Sequence, residues 1–401
     1  IPTERLEPPQ PELFFHPLPT SGIVYAEAAF ALEAVPEDLL PLLPLFGRAL
    51  LEMGTRNRDF VDLNMTIARK TGGMDIDTLF LTHAGDRAPL ARLVLSGKAA
   101  PDKAGDLFSL MEEMLTDCRL DQKDRFQRMV LEEKARQEHS LVPAGHTVVA
   151  ARLRAALSGA GRLSEAAGGI SYLYFLRRLS QRIDADWAGV IRDLERLRRC
   201  VLHRAGAALN LTATPEQRDQ LRALAEKFLR SLPERGQDGA APWFGQPAAL
   251  PEREALILPA QVNYVGKGIN LFDAGYAWHG SASVILKHLR TGYLWEKVRV
   301  QGGAYGCMCG LDRMSGAFFM VSYRDPNILP TLAVYDAAAE HLAGQTIGRA
   351  ELETAIVGAI GELDSYLLPD AKGSAAFVRH LCGDTEDLRS RLREEILGTT
   401  A

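Results

Sequence analysis

The residues that could most readily do chemistry lie in one segment, Leu294–Gly306, which reads LWEKVRVQGGAYG. The guanidinium of Arg299 offers a planar fork of five donors that fits a peptide carbonyl or a carboxylate. The hydroxyl of Tyr305 can donate a hydrogen bond to an oxygen that gains negative charge during a reaction. Gly302 and Gly303 have no side chains, so another backbone can approach closely. The same residues also suit an ordinary helix end, where arginine is favoured by the helix dipole.

Metal chemistry lacks a recognisable ligand pattern in this sequence. Two histidines four apart share one face of a helix, which is why H-E-x-x-H and H-x-x-E-H recur in zinc peptidases. No two of the nine histidines are four apart, and none is followed by Glu at the next or the third position. Neither a phosphate-binding loop nor a G-x-S-x-G elbow is present. We therefore predict no metal site and no complete catalytic set in the chain itself.

The element pattern predicts an α+β fold built from two copies of one unit. In each copy a helix ends in a glycine pair, two strands follow, and a helix begins just after a proline. The first hairpin runs from Met74 to Ser96 and the second from Ala304 to Arg324, and each unit is expected to be an antiparallel sheet with helices on one face. Ala255–Val265 is predicted to be the first strand of the second copy.

Four regions follow from this pattern. Residues 1–20 contain six prolines and are predicted to be an extended linker. Residues 21–232 form the first α+β domain with a helical insertion, and residues 233–254, rich in Gly, Pro and Gln, form a second linker. Residues 255–401 form the second α+β domain.

Composition excludes several classes of function. The formal net charge is -5, whereas a nucleic-acid-binding protein needs a basic surplus, so no nucleic acid is expected as a partner. The most apolar stretch, Leu39–Phe46, has eight residues and cannot span a bilayer, so no membrane partner is expected. Five cysteines indicate no disulfide framework and favour a reducing compartment, the cytoplasm of a bacterium or the matrix of an organelle.

The segment around Arg299 resembles the motif R-x-x-G-G-A-Y-G of presequence proteases, which are subfamily C of the M16 peptidases in the pitrilysin/insulinase superfamily. Further phrases in the first unit fit the same family in order and spacing. They are SGIVY at 21–25, LLPLF at 42–46, MGT at 53–55 and TGG at 71–73. The resemblance extends over almost the whole chain.

The resemblance implies a place for this chain in a larger peptidase. Such enzymes have four related α+β domains in two halves, which close like a clamshell around unstructured peptides. The N-terminal half of the same polypeptide carries H-x-x-E-H, the zinc and the general base, so zinc is expected there and no cofactor here. This chain matches the third and fourth domains, and the family continues beyond a segment like 396–400, so the fourth domain is expected to be truncated.

The family's substrate-binding arginine and tyrosine, which reach across to the active site, map onto Arg299 and Tyr305, with Gly302 and Gly303 between them. This reading makes the chain inactive alone but part of a zinc metallopeptidase. The alternative is a catalytically inactive scaffold or partner-binding subunit of the same fold. Retention of Arg299 and Tyr305 favours the first reading.

Overall fold

The structure is a computed structural model that describes residues 1–6, 11–234 and 250–401. The described residues form two sheets flanked by helices, which confirms the predicted α+β class. The strands are β1 (Glu4–Leu6), β2 (Glu12–Pro17), β3 (Val24–Ala31), β4 (Met74–Thr82), β5 (Pro89–Ala99), β6 (Ala207–Ala213), β7 (Gly266–Asn270), β8 (Gly306–Leu311) and β9 (Ala317–Tyr323). No helix in these ranges is long and apolar enough to cross a bilayer.

Helices lie between the strands of each sheet and also follow its last strand. The α-helices are α1 (Leu43–Glu52), α2 (Phe60–Lys70), α3 (Ala104–Asp117), α4 (Lys123–Ser140), α5 (Gly145–Leu157), α6 (Gly159–Gly168), α7 (Ile170–Ala185), α8 (Trp187–Val201), α9 (Arg218–Ser231), α10 (Ser281–Thr291), α11 (Leu329–Gly344), α12 (Arg349–Leu363), α13 (Pro369–Leu381) and α14 (Glu386–Leu397). Helices α4 to α8 follow one another without an intervening strand. A separate π-helix, Trp295–Gln301, precedes β8.

The predicted repeat is present in the order of the strands. The first sheet has the order β1-β2-β6-β3-β5-β4 and the second has the order β7-β9-β8, so β3-β5-β4 and β7-β9-β8 correspond. In both sheets the hairpin lies at one edge, and its second strand separates its first strand from the opening strand of the unit. The second sheet is antiparallel. In the first sheet β2 and β6 run parallel, which departs from the predicted antiparallel sheet.

The prediction that residues 1–20 are a linker is wrong for residues 4–6 and 12–17, which form strands. Strand β1 pairs with β2, and β2 pairs with β6 inside the first sheet. The prolines permit this because Pro17 ends β2, where a missing N–H costs least. Within β2, Phe15 packs into the main core and Phe14 packs on the opposite face, so the strand is buried on both sides.

The opening strand of the second unit lies later than predicted. Ala255–Val265 is not a strand, and β7 begins at Gly266. A Cβ at Gly266 would lie 2.4 Å from a methyl carbon of Val149 on α5, so only glycine lets this helix approach the strand. Close packing therefore selects a glycine-rich strand that residue propensity disfavours. The predicted linker 233–254 falls largely outside the described residues, since 235–249 are among those not described.

One helix of each unit packs on the sheet of the other unit. This differs from the prediction, in which helices cover one face of each sheet. Helix α5 of the first unit packs on β7 and β9 of the second sheet. Helix α13 of the second unit packs on β6. Its Phe377 is buried against Phe14 of the neighbouring strand β2, with ring centroids 5.8 Å apart. This reciprocal packing holds the two units together and fixes the orientation of the second sheet.

Candidate functional site

The predicted site begins on the π-helix Trp295–Gln301. Such wide turns are rare and are found frequently at functional sites. The Gly303 N–H donates to the carbonyl oxygen of Arg299 at 3.0 Å, and the Ala304 N–H donates to that of Val298 at 3.1 Å. The sequence predicted a helix in this segment but not its π form, which backbone propensities do not encode.

The two glycines after this helix are both needed by the backbone. Gly303 has φ +78, a left-handed conformation that side chains disfavour. A Cβ at Gly302 would lie 2.6 Å from the carbonyl oxygen of Val298. The side-chain amide of Asn327 donates to the Gly302 carbonyl at 2.6 Å and fixes the turn. The glycines thus have a structural reason to be present, and their contact with a substrate backbone stays a prediction.

Tyr305 lies directly before β8 and is tied to the end of β9. Its N–H donates to the carbonyl oxygens of Tyr323 at 3.0 Å and Arg324 at 3.3 Å. Its side chain is 63% exposed, and within the described residues its hydroxyl has no hydrogen-bond partner. The backbone is therefore held firmly while the hydroxyl is free to bind something else.

Arg299 and Tyr305 meet on one side of the glycine turn. The Cζ of Arg299 lies 4.1 Å from the centroid of the Trp295 ring and 5.5 Å from that of Tyr305. No carboxylate of the described residues forms an ion pair with this guanidinium. Each cation–π contact at an exposed site contributes about 0.5–1 kcal/mol, enough to orient a side chain without neutralising it. The structure thus brings the two predicted side chains together as an oriented set of donors.

A second layer of aromatic rings supports Tyr305 from behind. The Tyr323 ring meets it edge-on, with the centroids 5.6 Å apart. The His146 ring, on α5 of the first unit, lies 4.7 Å from the Tyr323 ring. Burial lowers the pKa of His146, so this imidazole is neutral at pH 7. The site is therefore braced by residues of both units.

Sequence reasoning did not single out Trp295, Tyr323 or Arg324. A signal for Tyr323 existed, because the hairpin was predicted and its register pairs Gly306 with Tyr323. Extending that register by one residue places Arg324 opposite Tyr305, with Tyr323 one position along the strand from that pair. Trp295 is four residues before Arg299, and this spacing puts two side chains on one face of a helix.

Zinc does not fit the described part of this chain. Among those residues no three His, Cys, Asp or Glu side chains are grouped so that they could share a metal ion. The buried His288 lies 3.3 Å from Glu351 and 3.1 Å from Gln345, which are pairings within the fold. We derive no chemical step through a metal held here.

The sequence matches two known family models and is similar to several curated proteins. Residues 3–179 match the family model for the region associated with subfamily C of the M16 peptidases, and residues 253–401 match the PreP C-terminal domain. The chain is 43% identical over all 401 residues to Presequence protease 1, chloroplastic/mitochondrial, of Arabidopsis thaliana, of which it covers 37%. It is 29% identical over 399 residues to Protein HypA of Clostridium perfringens, covering 99% of this chain and 40% of that protein.

The chain belongs to subfamily C of the M16 peptidase family. It corresponds to the C-terminal half of a presequence-protease-type member and spans about two fifths of the length of the curated relatives it matches.

Two solved structures share this fold. The M16 inactive domain from Pseudomonas fluorescens has a TM-score of 0.67 at 15% identity, covering 100% of this chain and 92% of that one. A protease from Helicobacter pylori gives 0.64 at 13%, covering 100% and 94%.

Proposed function

We propose that this chain is the peptide-positioning half of a zinc metallopeptidase, with the zinc and the general base supplied by the N-terminal half of the same polypeptide. The chain alone is then inactive, because its sequence has no H-x-x-E-H. Its family membership supports the reaction class. Its substrates are unstructured peptides, enclosed in a chamber of which this half forms one wall.

The observation that carries the proposal is the juxtaposition of Arg299 and Tyr305 beside the glycine turn. The Arg299 guanidinium is held over two rings yet has no carboxylate partner in the described residues. The Tyr305 hydroxyl is exposed and has no partner there either. Arg299 fixes the peptide by a carbonyl or carboxylate oxygen, and Tyr305 donates to the carbonyl oxygen on which negative charge develops.

The proposal also accounts for the reciprocal packing of the two units. A positioning site acts well only when its donors are fixed to within a fraction of an ångström. His146 of α5 braces Tyr323, which in turn contacts Tyr305. The first unit thereby stabilises a site located on the second.

The working compartment is proposed from the cysteines. The structure describes Cys118, Cys307, Cys309 and Cys382 as free thiols. Free thiols suit the reducing cytoplasm of a bacterium or the matrix of an organelle.

The test uses the natural full-length polypeptide that contains this chain, with an unstructured peptide as substrate. Tyr305→Phe removes one hydroxyl and should lower kcat by about 100-fold, a typical loss for one donor to a developing oxyanion. Arg299→Lys keeps the charge, loses the planar fork and should raise KM. Tyr366→Phe is the matched control, since that tyrosine is 82% exposed and lies on a different segment.

The result decides between the two readings of this fold. Wild-type turnover by Tyr305→Phe and Arg299→Lys would overturn the proposal. No cleavage by the wild-type protein with zinc bound would favour the scaffold reading. Thermal unfolding of each variant, measured beside the kinetics, separates loss of binding from loss of folding.

A further inference from the structure

A second arginine, Arg324, contacts the aromatic rings of the same site through Tyr323. Arg324 follows the last residue of β9, is exposed, and has φ 49, the left-handed conformation that is uncommon for a residue with a side chain. Such conformations cost about 1–3 kcal/mol and cluster at functional sites. The strained backbone leaves the Arg324 guanidinium Cζ 5.3 Å from the Tyr323 ring centroid.

The two arginines are joined by a continuous row of contacts. Arg324 lies over Tyr323, Tyr323 meets Tyr305 edge-on at 5.6 Å, and Arg299 lies 5.5 Å from Tyr305. The result is two guanidinium groups on either side of a pair of tyrosine rings. Both are oriented by ring contacts rather than by acids.

The nearby carboxylates are engaged elsewhere. Glu296 accepts a hydrogen bond from the Gln301 side chain at 2.9 Å. Asp325 is buried and accepts from the Thr331 hydroxyl at 2.7 Å and from the Asn327 N–H at 2.9 Å. In the described part of the chain no carboxylate forms an ion pair with Arg299 or Arg324. The row is therefore positively charged without a counter-ion from the described protein.

We propose that Arg324 forms a subsite for a carboxylate of the bound peptide, next to the Tyr323 ring and in the same row as Arg299 and Tyr305. This inference rests on the proposed function and specifies its substrate class. The carboxylate is either an acidic side chain or the C-terminal carboxylate, because both present the same planar pair of oxygens to a guanidinium fork. Arg324 is thus a specificity-determining residue.

The test measures equilibrium binding of fluorescent peptides to the full-length protein with a chelator present, so that cleavage does not intervene. The parent peptide carries one internal glutamate and a free C-terminus. Two further peptides carry either glutamine at that position or an amidated C-terminus. Arg324→Asn removes the charge and tolerates the left-handed backbone. Arg324→Lys tests whether charge alone suffices, and Arg349→Asn, an exposed arginine on α12, is the control for lost surface charge.

We expect Arg324→Asn to weaken binding of the parent peptide by about 10-fold or more, as for a lost hydrogen bond to a charged group. Arg324→Lys should recover part of the affinity, and Arg349→Asn should bind normally. The peptide whose affinity is unchanged by Arg324→Asn identifies which carboxylate the subsite binds.

Equal binding of all three peptides by the wild type, or equal weakening of all three by Arg324→Asn, would overturn the inference. These outcomes are separable from those for the proposed function. The binding ratio decides the role of Arg324, whereas the kcat of Tyr305→Phe decides whether the site serves cleavage.

Discussion

The contact between α13 and the first sheet gives the sharpest prediction about the fold. A Cβ at Gly373 would lie 1.8 Å from the Thr212 hydroxyl oxygen and 3.0 Å from its Cβ. Thr212 is on β6 and is buried. Gly373→Ala must therefore push the helix away from the sheet or force a rotation of Thr212.

The magnitude follows from two opposing effects. Overpacking a buried contact costs about 1–3 kcal/mol, while replacing glycine by alanine inside a helix gains up to about 1 kcal/mol. We expect a net loss of about 1–2 kcal/mol in the free energy of unfolding. Adding Thr212→Ala removes the nearest atom, so the two substitutions should couple favourably by at least about 1 kcal/mol.

The assay is urea unfolding followed by circular dichroism, with Gly361→Ala as the matched control. Gly361 lies on α12 with no atom within 4 Å of an added Cβ, so alanine there should stabilise the helix slightly. Proteolysis of the folded state should increase for Gly373→Ala and not for Gly361→Ala. If Gly373→Ala matches the control in both measurements, the close packing of α13 on β6 is refuted.

Two further predictions concern pH. Burial raises the pKa of Cys307 to about 12 and that of Cys309 to about 11, so the folded state favours neutral thiols. The free energy of unfolding should therefore be unaffected by these thiols below about pH 8.5 and should fall as pH rises toward 11. Cys309→Ala should make that fall smaller, as measured by urea titrations at about pH 8 and pH 10. Burial also raises the pKa of Glu27, and a hydrogen bond from Asn210 opposes this shift. The contribution of neutral Glu27 to the stability of the fold is therefore present at about pH 4 and is lost as pH rises through the pKa of the folded state. Glu27→Gln should therefore raise the melting temperature more at about pH 8 than at about pH 4, and an equal shift at both would contradict this.

The sequence predicted those parts of the fold in which local pattern and packing agree. Strand β4 begins at Met74, where the first hairpin was predicted to begin, because alternating apolar residues follow the glycine pair that ends the preceding helix. The predicted helix that ends in the first glycine pair is present as α2, and the Asp59 carboxylate caps it by accepting from the Asp62 N–H at 2.9 Å.

The rest depended on contacts far apart in the chain. The burial of Phe14 requires α13, near the other end of the sequence. The glycines of β7 are explained by the side chains of α5 and, at Gly268, also by the Phe318 carbonyl oxygen of β9. Local propensity instead favoured a linker around Phe14 and an opening strand at Ala255–Val265, before β7. The predicted site residues Arg299 and Tyr305 were found from a motif, but the aromatic rings beside them were not. The signals for those rings are weak: the four-residue spacing of Trp295 from Arg299 and the position of Tyr323 in the hairpin.

Arg299 and Tyr305 are proposed to bind the peptide that the full-length protein cleaves. The most direct measurement is an experimental structure of the zinc-depleted full-length protein with a substrate peptide bound. We expect one peptide oxygen within hydrogen-bond distance, about 3 Å, of the Tyr305 hydroxyl and another within hydrogen-bond distance of the Arg299 guanidinium. A peptide bound in an ordered, cleavable position, with both side chains pointing into solvent, would contradict it.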